Sequence, residues 1–153
     1  MQKDVLISIT GTVNTDDGVP DVVEMVTAGR YYKRNGKYYI RYKETEATGF
    51  AGVTTTVKID GDDAVTLTRS GQTASRLILE KGRRHLCQYN TDLGQMLLGV
   101  SGCQIHSLLN DAGGELNFRY MLDVNSNLVS RNEVHISVKE VGEQHEESNG
   151  SRN

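Results

Sequence analysis

Apolar and polar positions alternate most regularly between Val53 and Ile59. Six of the seven residues in this stretch, VTTTVKI, are β-branched, and apolar residues recur with a period of two. β-Branched side chains fit the pleated surface of a strand, and a period of two places them on one of its faces. The pattern predicts a strand that is paired on both sides.

Turn signals separate this strand from its neighbours. Asn35-Gly36 lies between two tyrosine-rich runs, and both residues tolerate the positive φ of a two-residue type I′ hairpin. The next strand should run from Tyr38 to Glu46 and lead through a turn at Thr48-Gly49 into Val53. Similar patterns predict further strands, which we place at about Val5 to Val13, Val22 to Tyr32, Ala64 to Arg69, Ala74 to Glu80, His85 to Tyr89, Glu115 to Val124 and Val134 to Val138.

The stretch from Gly94 to Asn110 is long enough for a helix. Gly99 and Gly102 in its middle disfavour that interpretation, because glycine weakens helices and marks bends in strands. We predict one long strand with glycine-marked bends. The chain then contains about ten short strands separated by turns.

A succession of hairpins must either pack against a second sheet or close on itself. Successive short hairpins favour closure, and the predicted fold is an all-β, closed antiparallel meander barrel of about 8–10 strands. The alternative is a two-sheet sandwich without a cavity. Residues 1–141 should form this one domain, and the polar, acidic residues 142–153 should form a disordered tail.

Three short motifs lie within these predicted strands and turns. They are ETE-x-TG at Glu44 to Gly49, three threonines at Thr54 to Thr56, and RSG at Arg69 to Gly71. Together with EKGRRH, YNTDLGQMLLGV and RNEVHISVKE, they resemble the YwiB-like family of small bacterial proteins over nearly all of residues 5–140. The resemblance implies a barrel similar to lipocalins and other calycins. It implies no activity, ligand or catalytic residue.

Charge and composition exclude several partners. The formal net charge of −3 and the scatter of Lys and Arg among acidic residues give no global attraction for nucleic acid. The N-terminal apolar run is too short for a signal peptide or a membrane span, so we expect a cytoplasmic protein with no membrane partner. Cys87 and Cys103 should then be free, buried thiols.

Known catalytic and metal-binding motifs are absent from the sequence. The four histidines lack the two-histidine spacing of a metal site, and we expect no metal and no cofactor. Ser101 lacks the sequence context of a nucleophile and is interpreted as an ordinary strand residue.

Alternation places polar side chains at the ends of two inward-facing apolar series. Tyr38, Ile40 and Tyr42 lead to Glu44 and Glu46, while Val65 and Leu67 lead to Arg69. We predict that Glu44 and Arg69 meet. The pair would be either a structural ion pair or the polar anchor of a ligand cavity, because an unpaired buried charge costs several kcal/mol.

The leading hypothesis is a non-enzymatic barrel that binds a small amphipathic molecule. Its predicted ligand-binding residues are Tyr38, Tyr42, Glu44, Arg69, Tyr89 and Tyr120. The alternative is a structural or protein-interaction module whose interior is filled by its own side chains. The third hypothesis is a hydrolase that uses Glu44 and Glu46, since two same-face carboxylates approach the separation that inverting glycosidases use.

Overall fold

The part of the chain that the structure describes folds into ten antiparallel strands. The computed structural model describes residues 2–15, 18–46, 51–71, 74–91 and 94–141. The strands are β1 (Gln2–Asn14), β2 (Asp21–Arg34), β3 (Lys37–Lys43), β4 (Thr54–Asp60), β5 (Ala64–Ser70), β6 (Ser75–Glu80), β7 (Arg84–Thr91), β8 (Gly94–Asn110), β9 (Gly113–Val124) and β10 (Asn127–Glu140). Each strand pairs with the next, and β1 also pairs with β10, so the sheet closes. The predicted closed meander barrel is confirmed, while the predicted tail lies outside the described residues.

Strand β4 has the pattern that the sequence predicts. Thr55, Val57 and Ile59 are buried, the residues between them are less so, and β4 pairs with both β3 and β5. Val53 is also buried but lies just before the strand. Strand β3 is shorter than predicted, because it ends at Lys43 rather than Glu46.

The turn between β2 and β3 has the predicted geometry. Asn35 and Gly36 have φ angles of 54° and 79°, both in the left-handed region that a type I′ turn requires. Replacing Gly36 with Val should therefore lower the free energy of unfolding by about 1 kcal/mol or more, since β-branched residues are poorly tolerated at positive φ. Thermal unfolding checks this, and an unchanged melting temperature would contradict it.

The barrel ends differ in the connections that they carry. At one end, called the long-loop end, residues 15–20 join β1 to β2 and residues 44–53 join β3 to β4. At the other, called the tight-turn end, two-residue turns join β2 to β3 and β8 to β9. The predicted turn at Thr48-Gly49 lies outside the described residues.

The barrel interior is filled at the tight-turn end and becomes polar towards the long-loop end. The fully buried side chains of the filled part include Ile7, Tyr31, Ile40, Ile59, Leu79 and Leu116. On several strands the same inward series continues with polar residues, namely Thr55, Arg69, Tyr120, Asn132 and Ser130. The hydrophobic core therefore fills the barrel at the tight-turn end, whereas polar side chains line part of its interior at the long-loop end.

The long strand β8 is bent where the sequence places its second glycine. Its pairing with β9 shifts register between Gly102 and Gln104, which leaves Cys103 as an extra residue. The prediction of a strand instead of a helix over Gly94–Asn110 is correct. Among the described residues, no helix is long and apolar enough to cross a membrane.

The two cysteines differ in environment. Both are free, and Cys87 is buried, as predicted. It lies where β6 and β7 share one ladder pair, Ser75 with Tyr89, and its sulfur accepts a weak hydrogen bond from the amide of Ile78 at 3.5 Å. The predicted burial of Cys103 is wrong, because the extra residue of the β8 bulge is exposed.

Candidate ligand-binding site

A cavity of about 250 Å³ lies inside the barrel at the long-loop end. Most of its wall is apolar and includes Ile9, Met25, Val57, Leu67, Phe118, Val134 and Ile136. Its polar lining includes Tyr42, Glu44, Thr55, Arg69, Tyr120 and Asn132. A mostly apolar cavity with a few convergent polar groups has the usual composition of a small-molecule site.

Strand register brings the main polar groups together. Tyr42 on β3 is opposite Thr55 on β4, which in turn is opposite Arg69 on β5. All three side chains therefore point inward at one level of the barrel. Glu44 follows two residues after Tyr42, and its amide donates to the carbonyl of Val53 at 2.8 Å, which holds its backbone beside the start of β4.

Glu44 and Arg69 form the predicted pair. Arg69 Nε lies 3.7 Å from Glu44 Oε2, and the two side chains are 20% and 2% exposed. The Thr55 hydroxyl donates a hydrogen bond to the same carboxylate oxygen. The carboxylate is thus enclosed by groups that satisfy it, whereas part of the Arg69 side chain still reaches accessible space.

Tyr42 belongs to the same group. Burial raises the pKa of its hydroxyl, the negative charge of Glu44 and a hydrogen bond to it raise that pKa further, and Arg69 and Thr55 act in the opposite direction. Tyr42 therefore remains a neutral hydroxyl at physiological pH. The cluster contains one carboxylate, one guanidinium and two hydroxyl groups.

Tyr120 and Asn132 line the facing wall. They are opposite each other on β9 and β10, and burial raises the pKa of the Tyr120 hydroxyl. The Asn132 amide donates to the hydroxyl of Ser130 at 3.0 Å, and both residues are buried. Thr55, Ser130 and Asn132 were not among the predicted site residues, although extending the alternation of β10 backwards from Val134 reaches Asn132 and Ser130.

Tyr38 does not join this site. It shares the inward face of β3 with Tyr42, but the two lie four positions apart, a distance of about 13 Å along a strand. At the tight-turn end its hydroxyl donates to Asp111 Oδ1 at 2.7 Å, and its ring stacks on Tyr31 with centroids 5.3 Å apart. Grouping Tyr38 with Glu44 was wrong, because a shared face does not place residues at the same level of a barrel.

Tyr89 lies beside the cavity but not on its lining. It packs against the hydrophobic core, pairs with Ser75 across the junction of β6 and β7, and is close enough to raise the pKa of Tyr120. The structure therefore assembles Tyr42, Glu44, Arg69 and Tyr120 at one cavity. A role for any of them in binding a ligand stays a prediction.

The two carboxylates of the hydrolase hypothesis differ in burial. Glu46 is exposed and lies beyond the end of β3, whereas Glu44 is buried. The two carboxylates do not extend one strand, as the hydrolase hypothesis assumed, because β3 ends at Lys43. Among the described residues, no three His, Cys, Asp or Glu side chains are grouped to hold a metal ion.

Comparison with known proteins assigns the family. A family model described as a domain of unknown function, DUF1934, matches residues 7–136. The chain belongs to this family. The uncharacterized beta-barrel protein YwiB of Bacillus subtilis (strain 168) is 30% identical to this chain over 113 residues, which cover 74% of this chain and 78% of that protein. The predicted YwiB-like family is confirmed.

A solved structure supports the fold. The crystal structure of the ywiB protein from Bacillus subtilis matches with a TM-score of 0.79 and covers 92% of this chain and 93% of that chain, at 24% identity. At this identity the likeness shows the barrel alone. Kinship with lipocalins stays a prediction.

Proposed function

We propose that the protein binds a small amphipathic molecule in the cavity at the long-loop end. The observation that carries this proposal is the convergence of Tyr42, Glu44, Thr55 and Arg69 on a cavity whose wall is otherwise mostly apolar. The apolar part of the molecule would lie against Val57, and its polar part would contact the Glu44 and Arg69 pair. The cavity volume of about 250 Å³ limits the molecule to a small one.

The pair also favours one type of polar group on the ligand. Glu44 is 2% exposed and accepts a hydrogen bond from Thr55, while Arg69 is 20% exposed. A guanidinium presents five N–H donors and no acceptor. A ligand that enters the cavity would therefore meet Arg69 first, so we infer that its polar group is an anion or a hydrogen-bond acceptor.

The cellular compartment of the protein and its alternative function are also proposals. A reducing compartment such as the cytoplasm is supported by two free cysteines, one of them exposed. The alternative function, a barrel filled by its own side chains, agrees with the packing at the tight-turn end, but the cavity favours ligand binding.

Binding can be tested with two probes that have the same chain length and opposite charge. Octanoate should bind in isothermal titration calorimetry, whereas octylamine should not, because Arg69 would repel its ammonium group. Native mass spectrometry of the freshly purified protein shows whether a small molecule accompanies it. Binding of neither probe, together with an empty spectrum, would contradict the proposal.

Gly11 offers a matched test of where the ligand lies. It lines the cavity, and a Cβ added there would meet no heavy atom within 4 Å. Gly11→Leu should therefore fill much of the cavity, leave the barrel folded and abolish octanoate binding. Gly11→Ala is the control: it should retain binding and raise the free energy of unfolding by about 0.5–1 kcal/mol, since glycine weakens strands. Unchanged binding by Gly11→Leu would place the ligand elsewhere.

A further inference from the structure

The outward face of β2 and β3 carries three consecutive cross-strand pairs of similar residues. Arg30 is opposite Arg41, Tyr32 is opposite Tyr39, and Arg34 is opposite Lys37. On the next strand, Lys58 is opposite Tyr39. We call this outward side of β2, β3 and β4, from the Arg30 and Arg41 pair to the Arg34 and Lys37 pair, the basic face.

Acidic groups lie at the borders of this face: Asp60 on β4 follows Ile59, the partner of Tyr38, and so lies at the level of Lys37. Asp4, opposite Arg30 on β1, lies 3.1 Å from its guanidinium at the border of the basic face. Within the part of the chain that the structure describes, Arg41, Lys37 and Lys58 take part in no ion pair. The basic face is therefore a concentrated positive surface on a protein whose formal net charge is −3.

This arrangement costs stability. Like charges directly opposite each other on neighbouring strands repel, and two such pairs follow within five residues of β2. Alternation hides the cluster in the sequence, where inward residues such as Ile40 separate the cations. Net charge and spacing along the chain therefore did not reveal it. An anionic partner would relieve the repulsion.

The two tyrosines add a second kind of contact. Their rings are parallel within 5°, with centroids 4.9 Å apart, and the Arg34 guanidinium lies 5.7 Å from the Tyr32 ring. Both residues are partly exposed. Proteins that bind single strands stack bases on aromatic rings within a positively charged groove, and Tyr39 beside Arg41 and Lys58 offers this combination.

We propose that the basic face binds single-stranded nucleic acid, with a base stacked on the tyrosine pair and phosphates beside Arg41 and Lys58. A duplex hides the faces of its bases, so the tyrosines would have nothing to stack on. A membrane-binding surface needs apolar side chains that enter the lipid, whereas the outward side chains next to the tyrosine pair are cations, and the exposed Leu6 and Val26 lie beyond the Arg30 and Arg41 end of the basic face. This inference is independent of the cavity, which lies inside the barrel.

Fluorescence anisotropy with a labelled oligothymidylate of about 12 nucleotides tests the proposal, since that length covers the usual site on a β-barrel. Binding should weaken as salt rises. Arg41→Gln combined with Lys58→Gln should weaken it about tenfold or more and reduce the salt slope by about 1 to 2. The control is Arg119→Gln combined with Arg131→Gln, which removes equal charge from the exposed side of β9 and β10. It should change binding by less than about twofold.

Further measurements distinguish base stacking on the tyrosines from attraction by charge alone and from binding to a membrane. Tyr39→Leu should weaken oligothymidylate binding about tenfold by removing a stacking ring, and should leave inorganic polyphosphate binding unchanged. Thermal unfolding should give the Arg41→Gln, Lys58→Gln protein a melting temperature no lower than that of the parent, because repulsion is relieved. No binding at low salt, equal losses in the control, an inert Tyr39→Leu, or tighter binding to phosphatidylserine vesicles would each overturn the proposal.

Discussion

Replacing Glu44 with glutamine should lower the free energy of unfolding by about 3 kcal/mol, because it removes the charge that neutralises a largely enclosed guanidinium. Arg69 Nε lies 3.7 Å from the Glu44 carboxylate, whose side chain is 2% exposed. Arg69→Met should cost a similar amount, since it leaves the Glu44 carboxylate buried beside Tyr42 without its cation. Urea denaturation at neutral pH measures both changes.

The double variant tests whether Glu44 and Arg69 stabilise the barrel by interacting with each other. Glu44→Gln combined with Arg69→Met should recover part of the summed loss, because neither charge remains to be stranded. Arg119→Met is the matched control: it breaks a pair with Glu133 in which both side chains are more than half exposed, and it should cost less than about 1 kcal/mol.

The same variants distinguish a structural pair from a ligand anchor. If the pair mainly holds a ligand, both single variants should fold nearly as stably as the parent, and Arg69→Met, which removes the cation, should lose octanoate binding. Additive losses below about 0.5 kcal/mol without any effect on octanoate would mean that Glu44 and Arg69 are solvated residues at the barrel mouth. That result would remove the polar anchor from the proposed site.

Local patterns were sufficient to predict most of the fold. The period of two over Val53 to Ile59 fixes which side chains of β4 face inward, and Asn35-Gly36 fixes the tight turn before β3. Both signals depend on neighbouring residues only, so they can be interpreted without a structure. The end of β3 at Lys43 could not be predicted, because the three residues after it, Glu44 to Glu46, continue the same alternation.

The candidate site was predictable in part. Alternation placed Glu44 and Arg69 at the ends of inward series, and their separation by one strand follows from the order of the meander. Alternation carries no information about the level of a residue along the barrel axis, which is why Tyr38 was grouped with them. Asn132 was not predicted for another reason: the apolar alternation of the last strand starts at Val134, whereas β10 begins at Asn127.

Gly102 has a role that its sequence context only partly indicates. The sequence predicts a bend at Gly102, and the structure places this residue against the backbone of β6. A Cβ added to Gly102 would lie 2.5 Å from the carbonyl oxygen of Glu80 and 2.7 Å from its carbonyl carbon. The Gly102 carbonyl also accepts a hydrogen bond from the amide of Gly82 at 3.0 Å. The missing side chain thus lets β8 contact the turn that joins β6 to β7.

Gly102→Ala should therefore lower the free energy of unfolding by about 3 kcal/mol, because backbone atoms of Glu80 would have to move to admit a methyl group. Gly99→Ala on the same strand is the control. The added methyl group there would displace the ion pair of Asp123 and Arg84, whose side chains can shift more easily than the backbone of Glu80, so the cost should be smaller than that of Gly102→Ala. Urea denaturation of the two variants compares them directly. Equal losses would mean that the approach of β8 to Glu80 is not required for the barrel to close, and that Gly102 serves only as a bend.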